Sequence, residues 1–343
     1  MTDQSKIPLP EDGDDGMGGA AEKSLLERAT RSFDLKGFAP APMPEKLAAA
    51  SKPRARTLAS QRPPQTAVAA PAPADPAPVA TPEPASISSE PQAVEFKSAR
   101  QAIKRDRLRE EGMIVPDGPV TGLVEEFRIV KREILRGMAA LTSAGMGMNG
   151  ASQRILISSP HSGEGKTFCA INLAFSLAAE RDAEVVLVDA DFARPSILSR
   201  LGLKGAAGLM DALADPSANV EDFVIGTDVE GLWVLPSGNR TNADSEYLAS
   251  ARAAAVLGRL TQGAPNRIVI FDSPPALAAS PAAELARHVG QTLVVVQADE
   301  TGRSALEDAV SLLSACPDVK LLLNAARFSP SGRTFGSYYG YGG

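Results

Sequence analysis

The chain has 343 residues, 44% of them apolar and only 5% aromatic, with a formal net charge of −6, so it has the length for a sizeable core and no general nucleic-acid footprint. No uninterrupted apolar run reaches the length of a membrane span, and Asp3, Glu11, Asp12, Asp14 and Asp15 stand where a secretory signal would be basic and then apolar; a cytosolic location is expected. The two cysteines, Cys169 and Cys316, suit a reducing compartment and have no metal or disulfide spacing.

In chain order, residues 1–19 are expected to be disordered. Ala20–Phe33 has the pattern of a short amphipathic helix, marginal by itself, which reads either as a frayed polar helix or as a docking helix for a partner. Residues 34–97 follow as a linker. Thirteen of the 27 prolines fall between residues 40 and 91 and no aromatic residue lies between Phe38 and Phe96, so this stretch has too little apolar surface to offset its chain entropy. A basic lead-in over 98–120 is predicted helical, its charges forming a solvated face. The folded body is placed at 121–326, followed by a flexible Tyr/Gly-rich tail, 327–343.

Inside the body, Arg154–Ser158 has strand character. The apolar positions Phe168, Ile171, Ala174, Phe175 and Ala178 then recur at helical spacing. Between strand and helix lies a small-residue loop ending in Gly165-Lys166-Thr167. Such a loop cradles phosphate: Ser162, Gly163, Glu164, Gly165, Lys166, Thr167 and Phe168 are the nucleotide-binding candidates, with backbone N–H groups and a helix N-terminus facing the anion. Lys166 is expected to reach the outer phosphates and Thr167 to ligate Mg²⁺. The strict pattern wants Gly where this chain has Pro160, and His161 reads as a loop residue.

Further strands are predicted at Glu184–Asp189, Gly231–Leu235, Arg267–Asp272, Thr292–Gln297 and Val319–Asn324, with helices at Asp244–Thr261, Pro281–His288 and Arg303–Ala315. This alternation implies an α/β fold with a doubly wound, mostly parallel sheet, a P-loop NTPase with helices on both faces, whose ligands lie at the carboxyl ends of the strands. Two of those ends carry acid, in Asp189-Ala-Asp191 and at Asp272. Asp189, Asp191 and Asp272 are therefore candidate catalytic residues with Lys166, and Asp191 and Asp272 candidate metal ligands with Thr167. Cys169 is expected to pack behind the phosphate loop and Cys316 at a helix end.

Three of the four tyrosines, Tyr338, Tyr339 and Tyr341, fall in the last six residues. A glycine-rich terminus offers them no core. From Asn324 to Tyr338 an extended chain spans up to about 46 Å, enough to bring a phenol to its own or a neighbour's nucleotide site as a phosphoacceptor.

Together these residues resemble the bacterial tyrosine kinases of exopolysaccharide loci, in particular the stand-alone XrtA-associated autokinases. The resemblance is carried by Ser24-Leu-Leu-Glu-Arg-Ala29, Gly112-Met-Ile-Val-Pro116, Glu125-Glu-Phe-Arg-Ile-Val-Lys-Arg132, the nucleotide motifs and the Tyr-Tyr-Gly-Tyr tail, so that only the proline-rich linker is outside it. It implies an ATP- and Mg²⁺-dependent autokinase that phosphorylates Tyr338, Tyr339 and Tyr341, with Asp189 and Asp191 in the second Walker motif and Asp272 as the Walker B aspartate. It also implies activation by a membrane polysaccharide co-polymerase that holds the kinase peripherally at the inner membrane, a protein-tyrosine phosphatase as counterpart, and a ring packed through Glu125, Arg128 and Lys131.

Three departures from the family pattern stand out. Ala193 replaces an Arg, with Arg194 next to it; Lys131 replaces an Arg and lacks the planar bidentate fork; and Pro160 stiffens the phosphate loop. Two rival readings remain: a switch ATPase of the septum-placement or plasmid-partition type, whose early loop Lys is His161 here, and a nucleotide-gated, non-enzymatic scaffold of the polysaccharide machinery.

Overall fold

The computed structural model describes residues 92–146 and 148–326. The expected disorder of 1–19, the helix over 20–33, the linker as far as residue 91 and the tyrosine tail lie outside the described residues. Eight strands form one sheet: β1 (Arg100–Gln101), β2 (Arg154–Ser158), β3 (Glu184–Asp189), β4 (Ile225–Thr227), β5 (Leu232–Leu235), β6 (Arg267–Asp272), β7 (Gln291–Gln297) and β8 (Asp318–Asn324), in the order β1-β4-β5-β3-β6-β2-β7-β8. From β5 to β8 every neighbouring pair is parallel. β4 runs antiparallel to β5, and β1 pairs with β4, so the departure from a parallel sheet is confined to one edge.

The helices are α1 (Arg105–Glu110), α2 (Gly122–Ser143), α3 (Lys166–Ala178), α4 (Ile197–Leu201), α5 (Leu209–Ala214), α6 (Asp244–Ala249), α7 (Ala251–Arg259), α8 (Pro281–Ala286) and α9 (Arg303–Leu312). Two hydrophobic cores explain their placement. Val185 and Leu187 of β3 point into one, with Phe127 and Ile134 of α2 and Ile171, Leu173 and Leu177 of α3. Val186 and Val188 point into the other, with Leu213 of α5, Leu257 of α7 and Leu285 of α8. A strand alternates its side chains between faces, so an unbroken β-branched run is stable only where both faces are covered. Each fully buried Ile, Leu or Val contributes roughly 1.5–3 kcal/mol.

The lead-in differs from the single helix expected over 98–120. It holds the short strand β1 and the six-residue α1, and it is part of the folded body. Leu108 is wholly buried, with Ile103, Met113 and Ile114 beside it in the α3-side core. The Ile114 N–H donates to Asn172 Oδ1 of α3 at 2.8 Å. Burial of these four apolar residues outweighs the charge pattern that suggested a solvated helix. The linker also ends earlier than residue 97: Val94 and Phe96 are buried, Arg267 Nη2 donates to the Val94 carbonyl at 2.7 Å, and the Arg267 guanidinium lies 4.1 Å from the Phe96 ring centre. The helix expected over Asp244–Thr261 is two helices, because Ser250 is extended (ψ 156°) between α6 and α7. Cys169 packs behind the phosphate loop as expected, and Cys316 is buried just beyond α9. No helix among the described residues is long and apolar enough to cross a membrane.

Candidate active site

β2 ends at Ser158, and α3 starts at Lys166. The loop between them bends through Gly163 and Gly165, both at φ +92°, a left-handed conformation that an L side chain resists. Its entry is braced from the segment after β6: the Ala276 N–H donates to the Ser159 carbonyl at 2.8 Å and the Leu277 N–H to the Pro160 carbonyl at 3.3 Å. Pro160, the departure from the strict pattern, is thus accommodated as an acceptor where no N–H is needed. Of the seven nucleotide-binding candidates, Ser162 and Gly163 are exposed, Gly165 and Phe168 are partly buried, and Glu164, Lys166 and Thr167 are buried. The Phe168 side chain packs on the α3-side core.

The three predicted carboxylates meet beside Lys166. Asp189 and Asp272 are register partners at the ends of adjacent parallel strands, and Asp191 lies two residues past β3. Lys166 Nζ stands 3.0 Å from Asp191 Oδ2, with both side chains almost fully buried. Asp189 Oδ2 accepts the N–H groups of Ser196 and Ile197 at 2.9 and 3.0 Å, which caps α4, while its Oδ1 is buried without a partner. Asp191 Oδ1 accepts the Arg194 N–H at 3.0 Å, and the Arg194 guanidinium reaches Ser162 Oγ at 3.4 Å. Arg194, the neighbour of Ala193, therefore lies on the loop side of the cluster.

Burial governs the charge state of this cluster. Desolvation pushes the Asp272 pKa up to about 7, with the Lys166 charge and the Thr167 side chain pulling it back down. Neither Asp272 oxygen meets hydrogen-bond geometry with a donor. Desolvation likewise raises Asp189 to about 6, offset by the two N–H groups of α4 and reinforced by Asp191. Packed acids with unused lone pairs are costly unless a cation completes them. Their hard oxygens, with the Thr167 hydroxyl, suit Mg²⁺. Among the described residues no group of three or more His, Cys, Asp or Glu forms a cage of its own, and Mg²⁺ ordinarily draws most of its ligands from phosphate and water.

The oligomerisation candidates lie on α2, away from this cluster in the fold. Glu125 pairs with Arg128 on the same helix. Lys131 is buried and pairs with Glu180, just past α3, at 2.5 Å. An open cleft of about 870 Å³, lined in part by Val115, Arg128, Phe175, Glu184 and Trp233, lies at the amino ends of β3 and β5, opposite the acid cluster.

Sequence reading missed the braces on the phosphate loop. Thr301, after β7, donates to the Glu164 carboxylate, and Asn324, the last residue of β8, donates to the Glu164 carbonyl at 2.9 Å. They lie 137 and 160 residues from the loop, and no local pattern links them to it.

Fold and site together define a P-loop nucleotide-binding protein, and residues 155–290 match the family described as the CobQ/CobB/MinD/ParA nucleotide binding domain. Within that class its relatives are tyrosine-protein kinases. It is 27% identical over 209 residues to wzc of Salmonella typhi (59% of this chain, 27% of that protein) and 29% identical over 191 residues to YwqD of Bacillus subtilis (55% and 77%). It is 30% identical over 153 residues to ptk of Acinetobacter johnsonii (45% and 20%). The chain is thus similar to bacterial tyrosine-protein kinases, and it spans about a quarter of the length of the Salmonella kinase that it matches.

Proposed function

We propose that this protein is an ATP-dependent tyrosine autokinase whose acceptors are Tyr338, Tyr339 and Tyr341 of its own tail. The observation that carries this reading is the convergence of Asp189, Asp191 and Asp272 on Lys166 at the mouth of the phosphate loop, in a chain whose relatives are named tyrosine-protein kinases. Lys166 and the loop N–H groups stabilise charge on the transferred phosphoryl group. Asp189 keeps one oxygen on α4 and has the other to orient the phenol and take its proton. Tyrosine's reference pKa is about 10, yet phosphoryl transfer depends chiefly on alignment and charge neutralisation, so a weak base suffices. Mg²⁺, held by Thr167, Asp191 and Asp272, neutralises phosphate charge when bound.

By the family resemblance, the kinase works with a membrane polysaccharide co-polymerase that activates it at the inner membrane, and its phosphorylation state, reversed by a phosphatase, governs exopolysaccharide synthesis and export. Each added phosphate brings about −1.5 to −2 charges, so modified tails repel one another and the acidic site, which favours their release. The test is incubation of the full chain with ATP and Mg²⁺, followed by mass spectrometry of the C-terminal peptide. Phosphate on the tail tyrosines is the expected result. Free phosphate without modification would point to a switch ATPase, and neither product to a scaffold.

A further inference from the structure

We infer that Thr301 and Asn324 are positioning residues for the phosphate loop, acting through Glu164; this rests on reading the loop as a nucleotide site. Glu164 is 5% exposed, although His161, Ser162 and Gly163 before it are exposed. One carboxylate oxygen accepts the His161 N–H at 2.7 Å, and the other accepts the Thr301 hydroxyl. The direction of that second bond is fixed, because a carboxylate oxygen only accepts; Thr301 Oγ1 in turn accepts the N–H of Gln297, the last residue of β7, at 3.0 Å. The Thr301 proton is thereby committed to Glu164.

Asn324 acts on the backbone. Its Nδ2 donates to the Glu164 carbonyl at 2.9 Å. In a planar trans peptide the carbonyl and the following N–H point in opposite directions, so this bond turns the Gly165 N–H away from β8. The same contact requires glycine at 165, where a Cβ would stand 2.1 Å from Asn324 Nδ2.

The clamp has two consequences for an anionic ligand. It fixes the peptide plane that aims the Gly165 N–H. It also holds the Glu164 carboxylate on the β7 side of the loop, where a freed carboxylate would repel a phosphate. A residue whose charge opposes the ligand is thus turned into a strut, and Thr301 and Asn324 are what turn it.

The test is calorimetric titration of the full chain with Mg-ADP, comparing wild type with Thr301→Val, Thr301→Ser and Asn324→Asp. Thr301→Val removes the hydroxyl at constant shape, and Asn324→Asp sets an acceptor against the Glu164 carbonyl. Both should weaken binding about tenfold, measured at a temperature where each variant is folded, and Thr301→Ser should restore it. Wild-type affinity in Thr301→Val and Asn324→Asp, or a Thr301→Ser variant as weak as Thr301→Val, overturns the inference. Hydrogen exchange on the wild type decides the matter if a variant does not fold. The Gln297 and Thr301 amides should gain protection with Mg-ADP together with residues 161–167, and their indifference to nucleotide would equally overturn it. A wild-type protein that binds no Mg-ADP strikes the nucleotide-site reading itself.

Discussion

Lys166 Nζ lies 3.0 Å from Asp191 Oδ2, so the cation expected to grip phosphate is paired with a carboxylate of the second motif. The pair is nearly buried and borders two further acids whose pKa values are raised by desolvation. Lys166 therefore has a structural duty alongside its chemical one: it supplies the positive charge that lets three carboxylates share one pocket.

This duty can be separated from catalysis. Lys166→Met should abolish tail phosphorylation and also lower the stability of the nucleotide-free protein, because it leaves Asp191 buried beside Asp189 and Asp272 with no cation. Adding Asp191→Asn should recover part of that stability but no activity. Urea unfolding of the two single variants and the double variant should give a coupling of about 1–3 kcal/mol; strict additivity would show that the pair carries no energy.

A pH dependence follows from Asp272. Its folded-state pKa of about 7 is raised above the ordinary 3.8. The unfolded chain thus releases the proton first, and the stability contributed by this group is full below about pH 4 and is lost as pH rises through about 7. Asp272→Asn removes that dependence. The stability difference between wild type and Asp272→Asn should move in the variant's favour by about 2–3 kcal/mol from pH 5 to pH 8, measured by urea unfolding without nucleotide.

Asp189 has two oxygens with different tasks. Asp189→Asn keeps an acceptor for the Ser196 and Ile197 N–H groups, and Asp189→Ala does not. The alanine variant should lose about 1–2 kcal/mol of stability through the uncapped α4. The asparagine variant should stay close to wild type in stability, yet phosphorylate its tail about 100-fold more slowly. Equal rates for Asp189→Asn and wild type in a single-turnover assay would remove Asp189 from the chemistry.

On α2 the three residues of the oligomerisation motif should behave differently. Lys131 is committed to Glu180 within the chain, so Lys131→Met should lower the unfolding midpoint of the protomer, an effect of about 1 kcal/mol. Arg128 is 40% exposed beside Glu125, and Arg128→Ala should shift any assembly seen by sedimentation while sparing the protomer's stability.

Where the sequence is legible, the signal is local. The Val-Val-Leu-Val run before Asp189 is stable only with both faces covered, and the loop ending in Gly165-Lys166-Thr167 joins a strand to a helix. The lead-in is not legible in this way, because charge dominates its pattern, whereas its structure is decided by where Ile103, Leu108, Met113 and Ile114 find a core. The break at Ser250 is equally invisible, since Ala-rich flanks favour helix on either side.

The sequence by itself determined that a parallel sheet carries a phosphate loop and three acids at its strand ends, because strand periodicity and glycine spacing are properties of consecutive residues. Only the tertiary structure decided that Asp189 also caps α4, that Lys166 neutralises Asp191, and that Thr301 and Asn324 hold Glu164 from the ends of β7 and β8. Those relationships join groups brought close by strand order, and strand order is set by which apolar faces bury one another across the whole domain.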